Sequence, residues 1–327
     1  MANRIKEKYM AGKRYFDYPM LFLVIFLICF GLVMIYSTSS YKSTVTYGNS
    51  YHWLLRQAVA IVLGAVAMVV CCKLDYRIIK SEKFGNGCYW ASIVLLVLVL
   101  IIGAAKKGAV RWISIAGFQF QPSEVSKILV VIYLANRLSA NAHKIRTFKD
   151  SIVIVLPTVP IIALIVTQNL STALVVCSMI GVMLFVVSPK MKELMLTAGG
   201  GIILLFVYLL TANSYRNERV QIWLHPESHK KGFQTMQALY AIGSGGIFGK
   251  GLGQSMQKMG FIPESHNDMI FSIICEELGL VGAGILIGVF LILIWRFFVI
   301  AAKAEDLTGA LIATGAMAHM MIQIILN

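Results

Sequence analysis

Charged residues are scarce in this sequence. Only 13% of its 327 residues are Asp, Glu, Lys or Arg, whereas 58% are hydrophobic and the mean hydropathy is +0.77. A typical soluble domain carries about 25% charged residues. The shortage of charge excludes an ordinary soluble enzyme or binding domain, and it indicates a polytopic membrane protein.

Cysteine motifs and nucleotide-binding motifs are also missing. The six cysteines form no CxxC pair, and most lie within or at the ends of apolar segments. Neither a disulfide framework nor a zinc site is therefore expected. The glycines of residues 243–253 do not form a P-loop, because Lys250 is followed by Gly251 rather than by Ser or Thr, and they do not complete a GxGxxG motif. We expect no ATP site.

The chain contains no tandem repeat, low-complexity tract or soluble domain, so we expect one membrane domain over residues 1–327. The first apolar stretch is long enough to span a bilayer, and no small-residue cleavage site follows it. This pattern is typical of a signal anchor rather than of a cleaved signal peptide.

Long apolar segments define the expected fold, because a helix needs about 20 apolar residues to cross a bilayer. Such segments lie at residues 20–36, 53–72, 88–105, 123–138, 151–167, 170–188, 193–211, 280–300 and 307–327. We predict an all-α fold with about nine transmembrane helices. A tail precedes them at residues 1–19, and a large polar loop at residues 212–268 joins the seventh and eighth.

The positive charges are distributed unevenly between these segments. Alternate connections hold most of the lysines and arginines, beginning with the N-terminal tail. Short cytoplasmic loops carry such an excess, so we predict a cytoplasmic N-terminus and an outward-facing loop at residues 212–268. This topology accounts for most of the net charge of +14, and no nucleic-acid partner is expected.

Asp268 is the first candidate for chemistry. It lies where the large polar loop is predicted to meet the membrane boundary, and a partly desolvated carboxylate there is a better proton acceptor near neutral pH. An exposed loop aspartate without a function is the usual alternative. Other acid–base candidates lie nearby, namely Glu264, His266, Glu276 and Glu277.

Glu124 and Lys127 place two opposite charges at the start of a predicted membrane helix. Their spacing puts them on one helix face, where they can pair, and a purely structural ion pair is the competing interpretation. Their closeness to the outward side, shortly after Arg111, favours binding of a phosphate-bearing lipid headgroup. Glu124 is also a candidate ligand for a divalent cation, Mg²⁺ or Mn²⁺.

Gln168 and Asn169 lie at the predicted outer turn between the fifth and sixth helices. Capping of the next helix is the simpler interpretation of Asn169, and a substrate-binding role for both amides is the alternative. In the large loop, the glycines are expected to allow tight turns and close approach to a ligand, with Lys250 as a charge for phosphate.

Several segments together resemble one known family. They are FGLVMIYSTSS, GAVRWISIAGFQFQPSEVSKI, QNLSTALVV, AIGSGGIFGKGLGQSMQKMGFIPESHNDMIFSIICEELGLVGA and the closing QIILN. From about residue 20 to the last residue, the chain is similar to the SEDS family (shape, elongation, division and sporulation), typified by FtsW, RodA and SpoVE. The division and sporulation types resemble it more than RodA does.

The resemblance implies a peptidoglycan glycosyltransferase that polymerises lipid II on the outer face of the cytoplasmic membrane during cell division. Asp268 stands at the position of the family's proposed catalytic aspartate. Glu124 and Lys127 match the polar pair of its PSE helix. Other substrate-binding positions match at Arg111, Gln168 and Lys250, and Asn169 joins them. The implied partners are a class B penicillin-binding protein, divisome proteins and the surrounding membrane lipid.

The chain departs from the family pattern at three places. Asn169 replaces the acid of the usual PDLGT, and Val110 replaces one basic residue of the usual GARRW. We also interpret the chain as C-terminally short, because it ends without the family's PFISYGGSS-like loop and tenth helix. We therefore keep two alternatives to an enzyme: a lipid II flippase, and a non-catalytic scaffold for a penicillin-binding protein.

Overall fold

The computed structural model describes residues 16–74, 76–106, 109–115, 118–188, 222, 224–228, 232–262 and 265–326. Most of these residues are helical. The α-helices are α1 (Tyr18–Tyr47), α2 (His52–Lys73), α3 (Tyr76–Lys80), α4 (Glu82–Ile102), α5 (Pro122–Asn141), α6 (Phe148–Val155), α7 (Val159–Gln168), α8 (Leu170–Val187), α9 (Phe233–Ser244), α10 (Ile270–Ala302) and α11 (Leu307–Leu326). Short 3₁₀ turns occur at Ala142–Lys144, Leu156–Thr158 and Pro226–Ser228.

The described chain contains seven helical segments that are long and apolar enough to cross a membrane. They are α1, α2, α4, α8, α10, α11 and a segment at Lys149–Gln168 that runs through α6 and α7. Each overlaps one of the segments predicted from the sequence, so the polytopic helical fold is confirmed.

The predicted total of nine spans is not reproduced by these seven. The segment at 123–138 does form a helix, α5, but Glu124, Lys127 and Arg137 make it more polar than the others. The segment at 193–211 lies outside the described residues. The limits of the large loop and the single-domain organisation stay predictions.

A small sheet makes the fold predominantly helical rather than all-α. Strands β1 (Ala104–Lys106), β2 (Ala109–Ile115) and β3 (Phe118–Phe120) pair antiparallel in the order β1-β2-β3 between α4 and α5. The β-branched residues Val110, Ile113 and Ile115 give β2 a sequence that suits a short strand. The sheet matters for the site because β2 carries Arg111 and packs against α5 and α7.

The described residues fall into two compact units. The first holds α1, most of α2, α9 and most of α10, over the described residues up to Val66 and Phe233–Arg296. One apolar cluster of this unit joins Met34 of α1 to Ile274 and Leu286 of α10. A second cluster, formed by Ala238, Ala241, Ile262 and Ile273, holds α9 and the following loop against the start of α10.

The second unit holds the described residues between Ala67 and Gly232 together with Phe297 onwards. Helices α5, α8 and α11 pack closely in its core. Gly315 of α11 lies directly against the side chains of Val131 and Met183, so a small residue is required at this crossing. The core is continuous with α4 and α7, which both pack against β2.

The longest helix, α10, is bent near its start. Gly279 has φ 69° and ψ −170°, which no helical residue adopts. The sequence placed the start of this span at residue 280, directly after the bend, and did not predict the helical structure that begins at Ile270. Residues 270–278 form a separate helical segment before the bend, and this segment carries the two buried acids described below.

Candidate functional site

The glycine-rich segment, residues 243–253, packs backbone to backbone against the start of α10. The hydrogen bonds between them run from Lys250 N to Glu276 O (3.0 Å), Gly251 N to Glu277 O (2.9 Å), Leu280 N to Gly246 O (3.0 Å) and Val281 N to Ile247 O (3.1 Å). They satisfy carbonyls and amides that the bend at Gly279 releases from the helix. The segment is therefore part of the scaffold of α10.

Three glycines permit this close approach. A Cβ atom at Gly245 would overlap the carbonyl oxygen of Cys275, and one at Gly249 would overlap that of Glu277. A Cβ at Gly279 would lie 2.5 Å from the carbonyl oxygen of Ile247. These glycines do allow close approach, but the approaching group at these positions is the chain's own backbone and not the expected ligand.

Glu276 is a fully buried acid held by the glycine-rich segment and the residues after it. Lys250 Nζ lies 2.7 Å from Glu276 Oε1, and Ser255 Oγ donates to Oε2 at 2.5 Å. The backbone N–H of Met256 donates to the same carboxylate at 3.2 Å. Lys250 keeps 36% of its side chain exposed. Lys250 thus pairs with a buried acid while part of its side chain stays exposed at the surface.

Glu277 forms a second buried ion pair beside the first. Its carboxylate accepts hydrogen bonds from Ser37 Oγ (2.7 Å to Oε1, 2.8 Å to Oε2) and from Lys258 Nζ (2.8 Å). Lys258 Nζ also donates to Ser37 Oγ at 3.0 Å. Because Glu277 is 0% and Lys258 5% exposed, neither charge is stabilised by solvent, and each depends on its partners.

In the sequence, Asp268 lies between the lysines and the glutamates of these two ion pairs, just before α10 begins, and it is exposed. Within the described residues it has no hydrogen-bond or ion-pair partner. Ser265 nearby is buried and donates to Thr38 O at 3.3 Å, while Ile270 N donates to Asn267 O at 3.3 Å. The backbone on both sides of Asp268 is therefore fixed, and its carboxylate faces away from the protein interior.

The other acid–base candidates of this region differ from Asp268 in their surroundings. His266 stacks on Trp53 with ring centroids 4.9 Å apart. Glu276 and Glu277 are both engaged in ion pairs, and Glu264 lies outside the described residues. Of the described candidates, Asp268 alone offers an exposed carboxylate.

Arg111 and Gln168 contact each other in the second unit. Arg111 Nε donates to the backbone oxygen of Gln168 at 2.7 Å, and Gln168 Nε2 donates to Leu96 O at 3.2 Å. Gln168 is buried, with 4% exposure, at the last residue of α7. The side-chain amide of Gln168 thus ties the end of α7 to α4. Its backbone carbonyl accepts the hydrogen bond from Arg111 and so orients the guanidinium.

Glu124 and Lys127 form the ion pair that their spacing predicts, with Lys127 Nζ 2.9 Å from Glu124 Oε2. Lys127 is almost wholly buried at 1% exposure, whereas Glu124 is 48% exposed. Pro122 begins α5, and Glu124 lies in its first turn, where a negative charge interacts favourably with the free N–H groups. The buried lysine charge therefore depends on this ion pair, whereas the half-exposed carboxylate is also stabilised by solvent.

Asn169 caps α8, since its Oδ1 accepts a hydrogen bond from Ser171 N at 3.1 Å. The capping interpretation is confirmed. A substrate contact by the amide NH₂ group stays a prediction, because capping uses only the side-chain oxygen.

Comparison with known proteins gives the family. The chain matches the FtsW/RodA/SpoVE profile, described as cell cycle protein, over residues 18–327. The chain belongs to this family. It is 35% identical to the probable peptidoglycan glycosyltransferase FtsW of Geobacter metallireducens, over 95% of this chain and 84% of that protein. Stage V sporulation protein E of Bacillus subtilis is 34% identical, over 95% of this chain and 86% of its own length.

Solved structures of the FtsW/RodA/SpoVE type have the same fold. A chain from a study of "structural coordination of polymerization and crosslinking by a peptidoglycan synthase complex" has a TM-score of 0.78 at 27% identity, with 96% of this chain and 87% of that chain covered. The crystal structure of the rod shape determining protein RodA from Thermus thermophilus has a TM-score of 0.67 at 26% identity, covering 96% and 84%.

The residues predicted for an FtsW/RodA/SpoVE site fall into two groups. Asp268 and Lys250 lie in the first unit. Arg111, Glu124, Lys127, Gln168 and Asn169 lie in the second, at β2 and the ends of helices that pack around it. The contact between Arg111 and Gln168 was not predicted. Their assigned roles in substrate binding and catalysis stay predictions.

The sequence analysis did not identify Lys258 as a member of the site region. It also did not predict the ion pairs of Glu276 with Lys250 and of Glu277 with Lys258. A signal was available in the sequence. Two consecutive acids inside an apolar helix require partners, and the lysines of the preceding loop, Lys250 and Lys258, are the natural ones.

A protein-held metal ion is poorly supported by the residues themselves. The described part of the chain contains no group of three or more His, Cys, Asp or Glu side chains that could hold one. Glu124 is half exposed, and one of its oxygens is paired with Lys127. It fits only an ion that takes most of its ligands from a phosphate-bearing substrate, as Mg²⁺ commonly does.

Proposed function

We propose that the protein is a peptidoglycan glycosyltransferase of the bacterial cytoplasmic membrane, which polymerises lipid II into glycan strands during cell division. The observation that carries this proposal is the similarity, over 95% of the chain, to a relative named probable peptidoglycan glycosyltransferase FtsW. The exposed carboxylate of Asp268 supports it. At the junction of a polar loop and a membrane helix, this group is accessible to a substrate whose lipid tail stays in the bilayer.

Asp268 acts as the general base in the proposed reaction. Its carboxylate accepts the proton of the 4-hydroxyl of GlcNAc on the acceptor lipid II, and that oxygen attacks C1 of MurNAc at the end of the growing chain. The bond between C1 and the pyrophosphate oxygen breaks, and undecaprenyl pyrophosphate leaves with the bonding electrons. A single displacement inverts the configuration at C1.

The basic and amide residues have the complementary task. We assign Arg111 and Lys127 of the second unit, and separately Lys250 of the first, to phosphate groups of the lipid II substrates, since positive groups stabilise the charge that develops on a leaving phosphate. Gln168 orients Arg111 through the 2.7 Å hydrogen bond to its backbone oxygen. Asn169 has a side-chain amide donor left after capping. Glu124 pairs with the buried Lys127 at 2.9 Å and so balances its charge.

A divalent cation, Mg²⁺ or Mn²⁺, belongs to this proposal as an optional component. Glu124 and the pyrophosphate oxygens would hold it, and it would supply further charge neutralisation to the leaving group. No step of the proton transfer to Asp268 depends on it.

Topology and partners follow from the same assignment. We propose that the N-terminus is cytoplasmic and that the loop at residues 212–268 faces outward, where lipid II is polymerised. Similarity to a chain from a peptidoglycan synthase complex that couples polymerisation with crosslinking supports a transpeptidase partner, a class B penicillin-binding protein. Divisome proteins are the further partners that a division role requires.

Polymerisation of purified lipid II by the purified chain, with and without the partner, tests the function. Glycan strands and released undecaprenyl pyrophosphate are the expected products. A parallel assay in liposomes measures movement of fluorescent lipid II between leaflets. Transfer between leaflets without polymer would replace the enzyme by a flippase, and partner binding with neither activity would leave a scaffold.

A further inference from the structure

We propose that the ion pair of Lys258 and Glu277, closed by Ser37, positions the carboxylate of Asp268 for the transfer reaction. This inference rests on the function proposed for Asp268. It assigns a positioning role to three residues that are buried in the structure. We call Ser37, Lys258 and Glu277 the buried triad.

The triad joins three separate parts of the first unit. Ser37 comes from α1, Lys258 from the loop that precedes Asp268, and Glu277 from the helical segment that follows it. All three mutual contacts are present, at 2.7 Å for Ser37 to Glu277, 2.8 Å for Lys258 to Glu277 and 3.0 Å for Lys258 to Ser37. The stretch that carries Asp268 is therefore closed into a loop whose two ends meet at one point on α1.

Burial makes this junction rigid. Exposures of 0% for Glu277 and 5% for Lys258 leave no water to replace a lost partner, so the pair persists only in its hydrogen-bonded arrangement. A surface ion pair would allow many geometries, because solvent stabilises each charge separately. The loop end is thus held at a defined distance from α1.

Asp268 itself has no such anchor. Its side chain is exposed and lacks a partner in the described residues, so its position is inherited from the backbone on both sides. The contact of Ser265 with Thr38 adds a second attachment to α1, next to Ser37. General-base catalysis depends on placing the acceptor oxygen within hydrogen-bond reach of the hydroxyl, and a displacement of 1 Å costs about 10²-fold in rate.

The first test compares two serines on α1. Ser37→Ala removes the hydroxyl that closes the triad. Ser40→Ala removes a hydroxyl that, among the described residues, donates only to the backbone oxygen of Ser37 at 3.3 Å. We expect Ser37→Ala to lower kcat for lipid II polymerisation by about tenfold with little change in KM, while Ser40→Ala stays near wild type. Equal kcat values for the two variants would overturn the proposal.

The second test examines the charge pair. Glu277→Gln should lower kcat, and the exchange Lys258→Glu with Glu277→Lys should recover part of it, because the pair is restored with its polarity reversed. Thermal stability is measured in parallel, because a role in folding alone would lower kcat only in variants whose Tm also falls. Recovery of stability with no recovery of kcat would contradict positioning by the pair.

A third measurement does not depend on turnover. In an Asp268→Cys background, a membrane-impermeant methanethiosulfonate reagent reports access to this position, with the wild-type chain as the background signal. We expect added Ser37→Ala to change the labelling rate by about fivefold and added Ser40→Ala to leave it unchanged. An unchanged rate for both refutes the positioning role, whereas an active Asp268→Asn enzyme would refute the general-base role of Asp268 without changing the labelling result.

Discussion

The clearest structural prediction concerns Gly245 and its neighbour Gly243. Gly245→Ala would place a Cβ atom into the carbonyl oxygen of Cys275 and 3.0 Å from the Cα of Glu276. Both contacts are backbone atoms, so no side-chain rotation relieves the overlap. The matched control is Gly243→Ala, since an added Cβ there meets nothing within 4 Å.

The expected magnitude follows from the contacts that must separate. Overpacking of a tight contact costs about 1–3 kcal/mol, and each backbone hydrogen bond that stretches between the glycine-rich segment and α10 costs about 1 kcal/mol more. We therefore expect Gly245→Ala to lower the free energy of unfolding by about 2–4 kcal/mol. Gly243 lies near the end of α9, where alanine is preferred to glycine, so its variant should be unchanged or up to about 1 kcal/mol more stable.

Thermal unfolding of the two purified variants in detergent measures the difference, which should be a Tm lower by about 5 °C for Gly245→Ala. Similar Tm values would refute the account of backbone packing. A Gly245→Ala protein that kept its stability but lost lipid II binding would restore the earlier expectation that this glycine faces a ligand.

Three further predictions concern the second unit and the proposed chemistry. Gly315→Ala places a Cβ 2.5 Å from Val131 Cγ1 and should lower stability by about 1–3 kcal/mol. The control Gly288→Ala, whose Cβ would meet nothing within 4 Å, should change stability little. Equal Tm values for the two variants would contradict the packing described for Gly315. Lys127→Met removes the described partner of Glu124, which is half exposed, so stability should change by less than about 1 kcal/mol. The KM for lipid II should rise about tenfold, and an unchanged KM would remove Lys127 from the substrate site. Chelation by EDTA should slow polymerisation reversibly, with recovery on adding Mg²⁺ or Mn²⁺, and an unaffected rate would remove the cation from the mechanism.

The membrane helices were predictable because hydropathy is a local property. A run of apolar residues the length of a bilayer indicates a helix whatever lies beside it, and each of the seven helical segments that could cross a membrane overlaps a predicted one. The pairing of Glu124 with Lys127 was predictable for the same reason, since one helical turn brings them together. The cap at Asn169 is equally local.

The two acids before the bend in α10 were interpreted without their partners. The predicted span began at residue 280, directly after the bend at Gly279, so the helical segment at residues 270–278 was missed. Its acids, Glu276 and Glu277, are buried in ion pairs with Lys250 and Lys258. Ion pairs between residues so far apart in the sequence are not predicted by hydropathy patterns, which consider one segment at a time. The strands around Arg111 escaped prediction because they are too short to show a clear period.

The function of the glycines was predicted only in part. Their number indicated close approach, but the sequence alone does not say what approaches. The backbone of residues 275–281 fills that place at Gly245, Gly249 and Gly279. Tertiary contacts decided the matter, and no local propensity contains them.

The central claim is that one carboxylate, that of Asp268, removes the proton in glycan polymerisation. Asp268→Asn keeps the size of an exposed side chain that has no partner among the described residues, so the variant should fold and reach the membrane like the wild type. Polymer formation from purified lipid II should fall below detection for Asp268→Asn, while Glu305→Gln, which removes an exposed acid elsewhere, should polymerise normally. Normal glycan strands from the Asp268→Asn protein would contradict the account.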